Sequence, residues 1–179
     1  MMRFVTPVIS LTMLAALAGS SAFAEMGTSK TATWPLGGAL GYFVGTWNCS
    51  GGPTSNKPRK ATVGYEWELG NTLLQDQVDV PAAGKLPAYR AGTYSAYDPK
   101  KKRIVASGVN MYGEWNVSWT AGWKGSKLTW RDVATADGKL GTDTVTRNSS
   151  ISFDDVGYDS TGKVVFKAHC DKAPTQAEK

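Results

Sequence analysis

Ala61-Thr62-Val63-Gly64-Tyr65-Glu66-Trp67-Glu68-Leu69 alternates side-chain character at almost every step. In an extended chain successive side chains point to opposite faces, so Val63, Tyr65, Trp67 and Leu69 share one face and Gly64, Glu66 and Glu68 the other. One face is apolar and one is wet. The same arithmetic at Glu114 to Trp119 sets Trp115, Val117 and Trp119 on an apolar face expected to turn inward, opposite Glu114, Asn116 and Ser118.

Working outward, similar runs recur between turn signals every eight to fifteen residues or so, and no stretch between residues 43 and 170 sustains the spacing of an amphipathic helix. The expected strands are Phe43–Ser50, Ala61–Leu69, Thr72–Val80, Tyr89–Tyr97, Lys102–Asn110, Glu114–Ala121, Lys127–Val133, Thr142–Phe153 and Lys163–Cys170, with one short helical or irregular turn within Pro35 to Gly41. Gly70-Asn71, Asp98-Pro99, Asp137-Gly138 and Thr161-Gly162 supply the turns. Successive antiparallel strands must avoid a long exposed edge, and a sandwich or a closed barrel does so. Hairpin-by-hairpin spacing favours an all-β, antiparallel up-and-down barrel of about nine to ten strands.

Composition agrees with one folded domain. The 179 residues are 41% hydrophobic and 20% charged, with seven Trp, two Cys and one His, and a net charge of +5. A tetrahedral protein zinc site has too few soft ligands here, and no metal site is expected. Residues 1–24 read as a secretory signal peptide: Arg3, an apolar run from Val5 to Ala18, then Ala22-Phe23-Ala24 as a small-x-small cleavage site. Removing that segment, which carries only Arg3, lowers the net charge to +4. A periplasmic or extracellular location follows, with residues 25–39 as an extension, 40–171 as the barrel and 172–179 as a polar tail. No transmembrane segment is expected after the leader.

In an oxidising compartment the two cysteines are most simply a disulfide. Cys49 sits on the first expected strand and Cys170 on the last, neighbours if the sheet closes; two buried free thiols are the alternative. Parity turns Cys170 inward with Val164, Phe166 and Ala168, and His169 outward with Lys163 and Lys167.

Leu40-Gly41-Tyr42-Phe43-Val44-Gly45-Thr46-Trp47-Asn48-Cys49, with its Gly-x-Trp, resembles the opening strand of exported bacterial lipocalin-like, calycin-type barrels, many of unknown function. Tyr97-Asp98-Pro99, Tyr112-Gly113, Gly122-Trp123-Lys124-Gly125 and Leu128-Thr129-Trp130 extend the similarity over residues 40–170. The resemblance implies a small barrel able to hold an apolar or aromatic ligand. A more distant similarity, to haem-binding nitrobindin-type barrels, implies a histidine ligand near the C-terminus, for which His169 is the candidate. Against it stand Cys49 where that pattern continues with glycines, and the lysine-bearing face of His169.

Two interior readings remain open. Trp47, Trp67, Trp115, Trp119 and Trp130 either fill the barrel, leaving function to its outer surface, or Tyr65, Trp67, Trp115, Trp119 and Trp130 wall a hydrophobic or aromatic guest. Asp76 shares parity with Leu74, Val78 and Val80, and Arg131 is expected to reach it across the sheet, either as a structural pair or to orient a polar ligand group. An enzyme reading, hydrolase or isomerase, would use interior Asp, Arg and Tyr groups. The chain has no Gly-x-Ser-x-Gly elbow, phosphate loop or His-Glu-x-x-His, and no cofactor is expected beyond the haem alternative. Asp154, Asp155 and Asp159 read as a solvated acidic turn, with Ca²⁺ as the lesser possibility. Lys57, Arg59 and Lys60 with Lys100, Lys101, Lys102 and Arg103 are expected at turns, where they would meet as one basic edge suited to an anionic surface; no nucleic-acid partner is expected.

Overall fold

The computed structural model of the chain describes residues 35–174. The signal-peptide reading therefore lies outside the described residues, as do most of the extension and the end of the tail. A six-residue helix, α1 (Pro35–Leu40), and a 3-10 turn (Gly41–Phe43) precede β1 (Gly45–Pro53), β2 (Arg59–Glu68), β3 (Leu73–Val80), β4 (Tyr89–Asp98), β5 (Arg103–Asn110) and β6 (Trp115–Thr120). Then follow β7 (Trp123–Lys124), β8 (Lys127–Thr135), β9 (Thr142–Arg147), β10 (Ser152–Tyr158) and β11 (Val164–Lys172). Among the described residues no helix is long and apolar enough to cross a membrane.

Antiparallel pairing runs β6-β5-β4-β3-β2-β1-β11-β10-β9-β8, and β6 also pairs with β8, which closes a ten-stranded up-and-down barrel; β7 is a short extra strand on β8. The first and last strands meet with Cys49 opposite Cys170, and the two form a disulfide. The bond closes a sequence separation of 121 residues.

The expected strand Thr142–Phe153 is two strands. Asn148-Ser149-Ser150 turns the chain without Gly or Pro: the backbone amides of Asn148 and Ser149 both donate to the carbonyl of Ser152, at 2.9 and 3.2 Å. Asp154 and Asp155 consequently lie inside β10 rather than in a solvated turn, and they face opposite ways.

α1 and the 3-10 turn plug one end of the barrel. A six-residue PLGGAL helix has little intrinsic stability, and tertiary burial holds it: Leu36 and Leu40 share one face and are fully covered, with Phe43 beside them. Phe43 stacks on Tyr65 and Trp123 with ring centroids 5.3 and 5.7 Å apart, and meets Phe153 edge-on at 5.6 Å. The Trp47 indole N–H donates to the Phe43 carbonyl at 2.6 Å, and the Trp123 indole N–H donates to the Ala39 carbonyl. The guanidinium of Arg147, the last residue of β9, lies over the Trp123 and Tyr42 rings at 3.5 and 4.2 Å.

Alternation of the hairpins separates the two basic clusters. Lys57 lies in the β1–β2 connection and Arg59 and Lys60 open β2 at the unplugged end, while Lys100 to Lys102 turn β4 into β5 and Arg103 opens β5 at the plugged end. They form no single basic edge. Arg59 is also occupied, donating to the carbonyls of Pro81 and Pro87 at 2.6 and 2.8 Å, and so ties two loops of the open rim together.

Candidate functional site

Parity and register bring a polar set to the middle of the barrel. On β2 Tyr65 lies opposite Asp76 of β3, which lies opposite Thr93 of β4, which lies opposite Gly108 of β5, which lies opposite Asn116 of β6. From the other side, Trp130 of β8 lies opposite Asp143 of β9, and Asp155 of β10 lies opposite Val145. Together with Leu40, Phe43 and Phe153 these, apart from Gly108, line a chamber of about 180 Å³ above the plug. Thr93, Asn116, Asp143 and Asp155 also line a space of about 450 Å³ that continues to the unplugged end, bordered by Tyr89, Asn110, Glu114 and Phe166. The barrel is thus hollow, floored at one end and open at the other.

Two inward glycines make room for these polar groups. A Cβ on Gly108 would lie 2.9 Å from both Asn116 Oδ1 and Thr93 Oγ1, and one on Gly157 would lie 2.6 Å from Asp143 Oδ1. Neither glycine is needed for a positive φ. They serve space, in line with the meaning of glycine inside a strand.

Placement divides the residues expected at the site. Tyr65, Asp76 and Trp130 line the chamber. Trp67 faces the interior opposite Leu74, packed against the core. Trp119 and Arg131 do not join them, and Trp115 only borders the outward continuation of the chamber. Trp119 lies opposite Val105 and Arg131, and with Asn116, Ser118 and Thr120 turned inward, the Trp115-Val117-Trp119 face is the outside of the barrel. Alternation identifies two faces but not which is inner, and here the inner one is polar because it lines a cavity. Arg131 is exposed and cannot reach Asp76. The Arg103 guanidinium covers the Trp119 ring at 5.3 Å, which makes that tryptophan tolerable on an outer surface. The sequence reading missed Thr93, Asn116, Asp143 and Asp155; the shared parity of Asp143 with Val145 was the available signal for one of them.

The electrostatics of the chamber are one-sided. Burial pushes the Asp76 carboxyl up to about 7, against the pull of a hydrogen bond from Thr93. Burial, then the charge of Asp143, lifts Asp155 to about 7; burial, then Asp132, lifts Asp143 to about 6. Tyr65 is held well above its usual value by burial and by Asp76 and Asp155. No lysine or arginine lines the chamber or its outward continuation. Asp155 Oδ1 is sealed from solvent and has no hydrogen-bond partner. Among the described residues no three or more His, Cys, Asp or Glu side chains form a group that could hold a metal ion.

His169 lies on the outer face, as parity requires, and does not line the chamber. Its Nδ1 is 2.7 Å from Asp154 Oδ1, and Asp154 Oδ2 accepts from Asn148 Nδ2 at 2.9 Å. It therefore does not fit as an axial ligand to a haem inside the barrel. Ser50, His169 and Asp154 stand opposite one another on three neighbouring strands. Yet Nε2 faces Asp171 Oδ2 at 3.4 Å, and among the described residues no hydrogen bond joins it to Ser50, so the row lacks the nucleophile–base contact of a Ser-His-Asp set. A larger depression of about 690 Å³ outside the barrel, between Tyr94, Gln77 and Trp115, has no comparable convergence of buried titratable groups.

Comparison with known proteins shows the fold. The chain is similar to the crystal structure of Rv2717c from M. tuberculosis, with a TM-score of 0.60 at 10% identity over 78% of this chain and 98% of that one. It also matches a redesigned β-barrel (TM-score 0.42, 10% identity, 76% and 96% covered) and a de novo designed fluorescence-activating β-barrel (0.36, 14%, 74% and 95%). The likeness to Rv2717c is one of closed antiparallel barrel architecture. No family model and no curated protein matches.

Proposed function

We propose that this chain is an exported, lipocalin-like binding protein that holds a small ligand, part aromatic and part polar, inside its barrel. The observation that supports it best is the chamber itself: floored by Leu40 and Phe43, open at the far end, and lined by Tyr65, Trp130 and Phe153 beside Asp76, Asp143 and Asp155. Concave sites with apolar walls and a few convergent polar groups are the usual form of small-molecule sites. The hydrophobic guest suggested by aromatic residues alone is refined by three carboxyls and by two tryptophans that lie outside. The Cys49–Cys170 disulfide is compatible with export.

Native mass spectrometry of the protein purified from its own host tests this reading through a retained ligand, lost when the chamber is narrowed by Gly108→Val. A ligand-free barrel whose tryptophan fluorescence responds to no member of a small-molecule panel would overturn it. A second reading, acid–base catalysis in the same chamber, is favoured by the raised carboxyls of Asp76 and Asp155 on either side of Tyr65. Conversion of the retained ligand by the wild type but not by Asp76→Asn would establish it.

A further inference from the structure

We infer that the ligand is an organic cation, a small aromatic or alkyl amine whose ammonium group sits among Asp76, Asp143 and Asp155 with its apolar part against Tyr65, Trp130 and Phe153. This rests on the reading of the chamber as a ligand site. The chamber carries three carboxyls and no basic side chain, so a bound anion would find no counter-charge there. Asp155 lines the chamber, and its Oδ1 has no hydrogen-bond partner in the chain, so this buried carboxyl is left short of partners. Buried carboxyls without a counter-charge are costly, and a cation placed among them restores the favourable arrangement. Among the described residues no three such side chains form a metal-ligand group. The carboxyls are instead interleaved with ring faces, and aromatic walls with adjacent carboxylates are the chemistry that recognises substituted ammonium groups. The Gly108 and Gly157 positions keep this polar middle open, while Phe43 of the plug gives the apolar part its floor.

The raised carboxyls add a signature. A cation that binds their charged forms displaces protons, so binding between about pH 5 and 7 should release them into buffer. Isothermal titration of the wild type with benzylamine, benzyltrimethylammonium, benzyl alcohol and benzoate, in two buffers of different ionisation enthalpy, tests the assignment. The expected result is binding of the two cations at least ten-fold tighter than the alcohol, no binding of benzoate, and proton release with the cations only. Asp155→Asn and Asp76→Asn should each remove most of that preference, while Asp154→Asn, on the outer face, should retain it. The wild-type comparison alone decides the matter should the inner variants not fold. Equal binding of benzyl alcohol and benzylamine would overturn the cation assignment and leave the chamber as a ligand site. Binding of none of the four, with the fold intact by circular dichroism, would overturn both.

Discussion

Asp143 places its Oδ1 2.6 Å from where a Cβ on Gly157 would stand, directly across the β9–β10 pair. The Phe166 Cβ is 3.0 Å away on the other side, so the extra methyl has no free direction. Gly157→Ala should therefore push Asp143 into the chamber and destabilise the fold by about 1–3 kcal/mol. Urea denaturation measures the loss, which a shift below about 0.5 kcal/mol would contradict.

Asp76, Asp143 and Asp155 make stability depend on pH in a stated direction. Their folded-state values lie above the ordinary carboxylate range, so the folded chain keeps protons that the unfolded chain gives up. Their contribution is fully present below about pH 4 and is lost as the pH rises through about 6 to 7. Asp155→Asn should flatten this slope and exceed the wild type in stability at pH 8, by on the order of 1–3 kcal/mol, with little difference near pH 4. Denaturation midpoints at pH 4, 6 and 8 check the sign.

The Cys49–Cys170 bond constrains the unfolded chain. By loop-closure entropy a crosslink over 121 residues contributes about 5 kcal/mol, an upper figure for a native bond. A Cys49→Ala/Cys170→Ala double variant should lower the urea midpoint in oxidising buffer and respond no further to reductant. A wild type insensitive to reductant would show that the seam holds without the bond.

His169 is raised above its usual value, first by the hydrogen bond with Asp154, then by the charges of Asp171 and Asp154. Its small stabilising effect is present below about pH 6.5 and disappears as the pH climbs through the raised value. An NMR titration should find the imidazole above about 6.5 and return it toward that value in Asp154→Asn.

How far the sequence could be read depended on what each pattern encodes. Val63, Tyr65 and Trp67 gave the inner face of β2 correctly because apolar side chains there pack on the core. Trp115 and Trp119 gave the wrong side of β6, since the barrel wall reverses its usual polarity where it borders a cavity: Asn116 and Ser118 line the chamber. Asp155 was hidden by a different failure. The turn at Asn148 to Ser150 carries no glycine or proline, so one long strand was expected and the count of faces beyond it was lost. The Cys49 and Cys170 pairing was legible because an even pair of cysteines sits on the first and last expected strands, which meet when the sheet closes.

Pairing the first strand to the last also fixes when the molecule can be completed. Cys49 meets Cys170 in a single register, and a slip of one residue would turn Cys170 to the outer face, out of reach. Most strands pair with their chain neighbours, but the cylinder cannot close until β11 has arrived, which makes the seam a pairing between the two ends of the chain's strand order. The disulfide is then a record of completed closure: a chain that carries it has brought its two ends together in register.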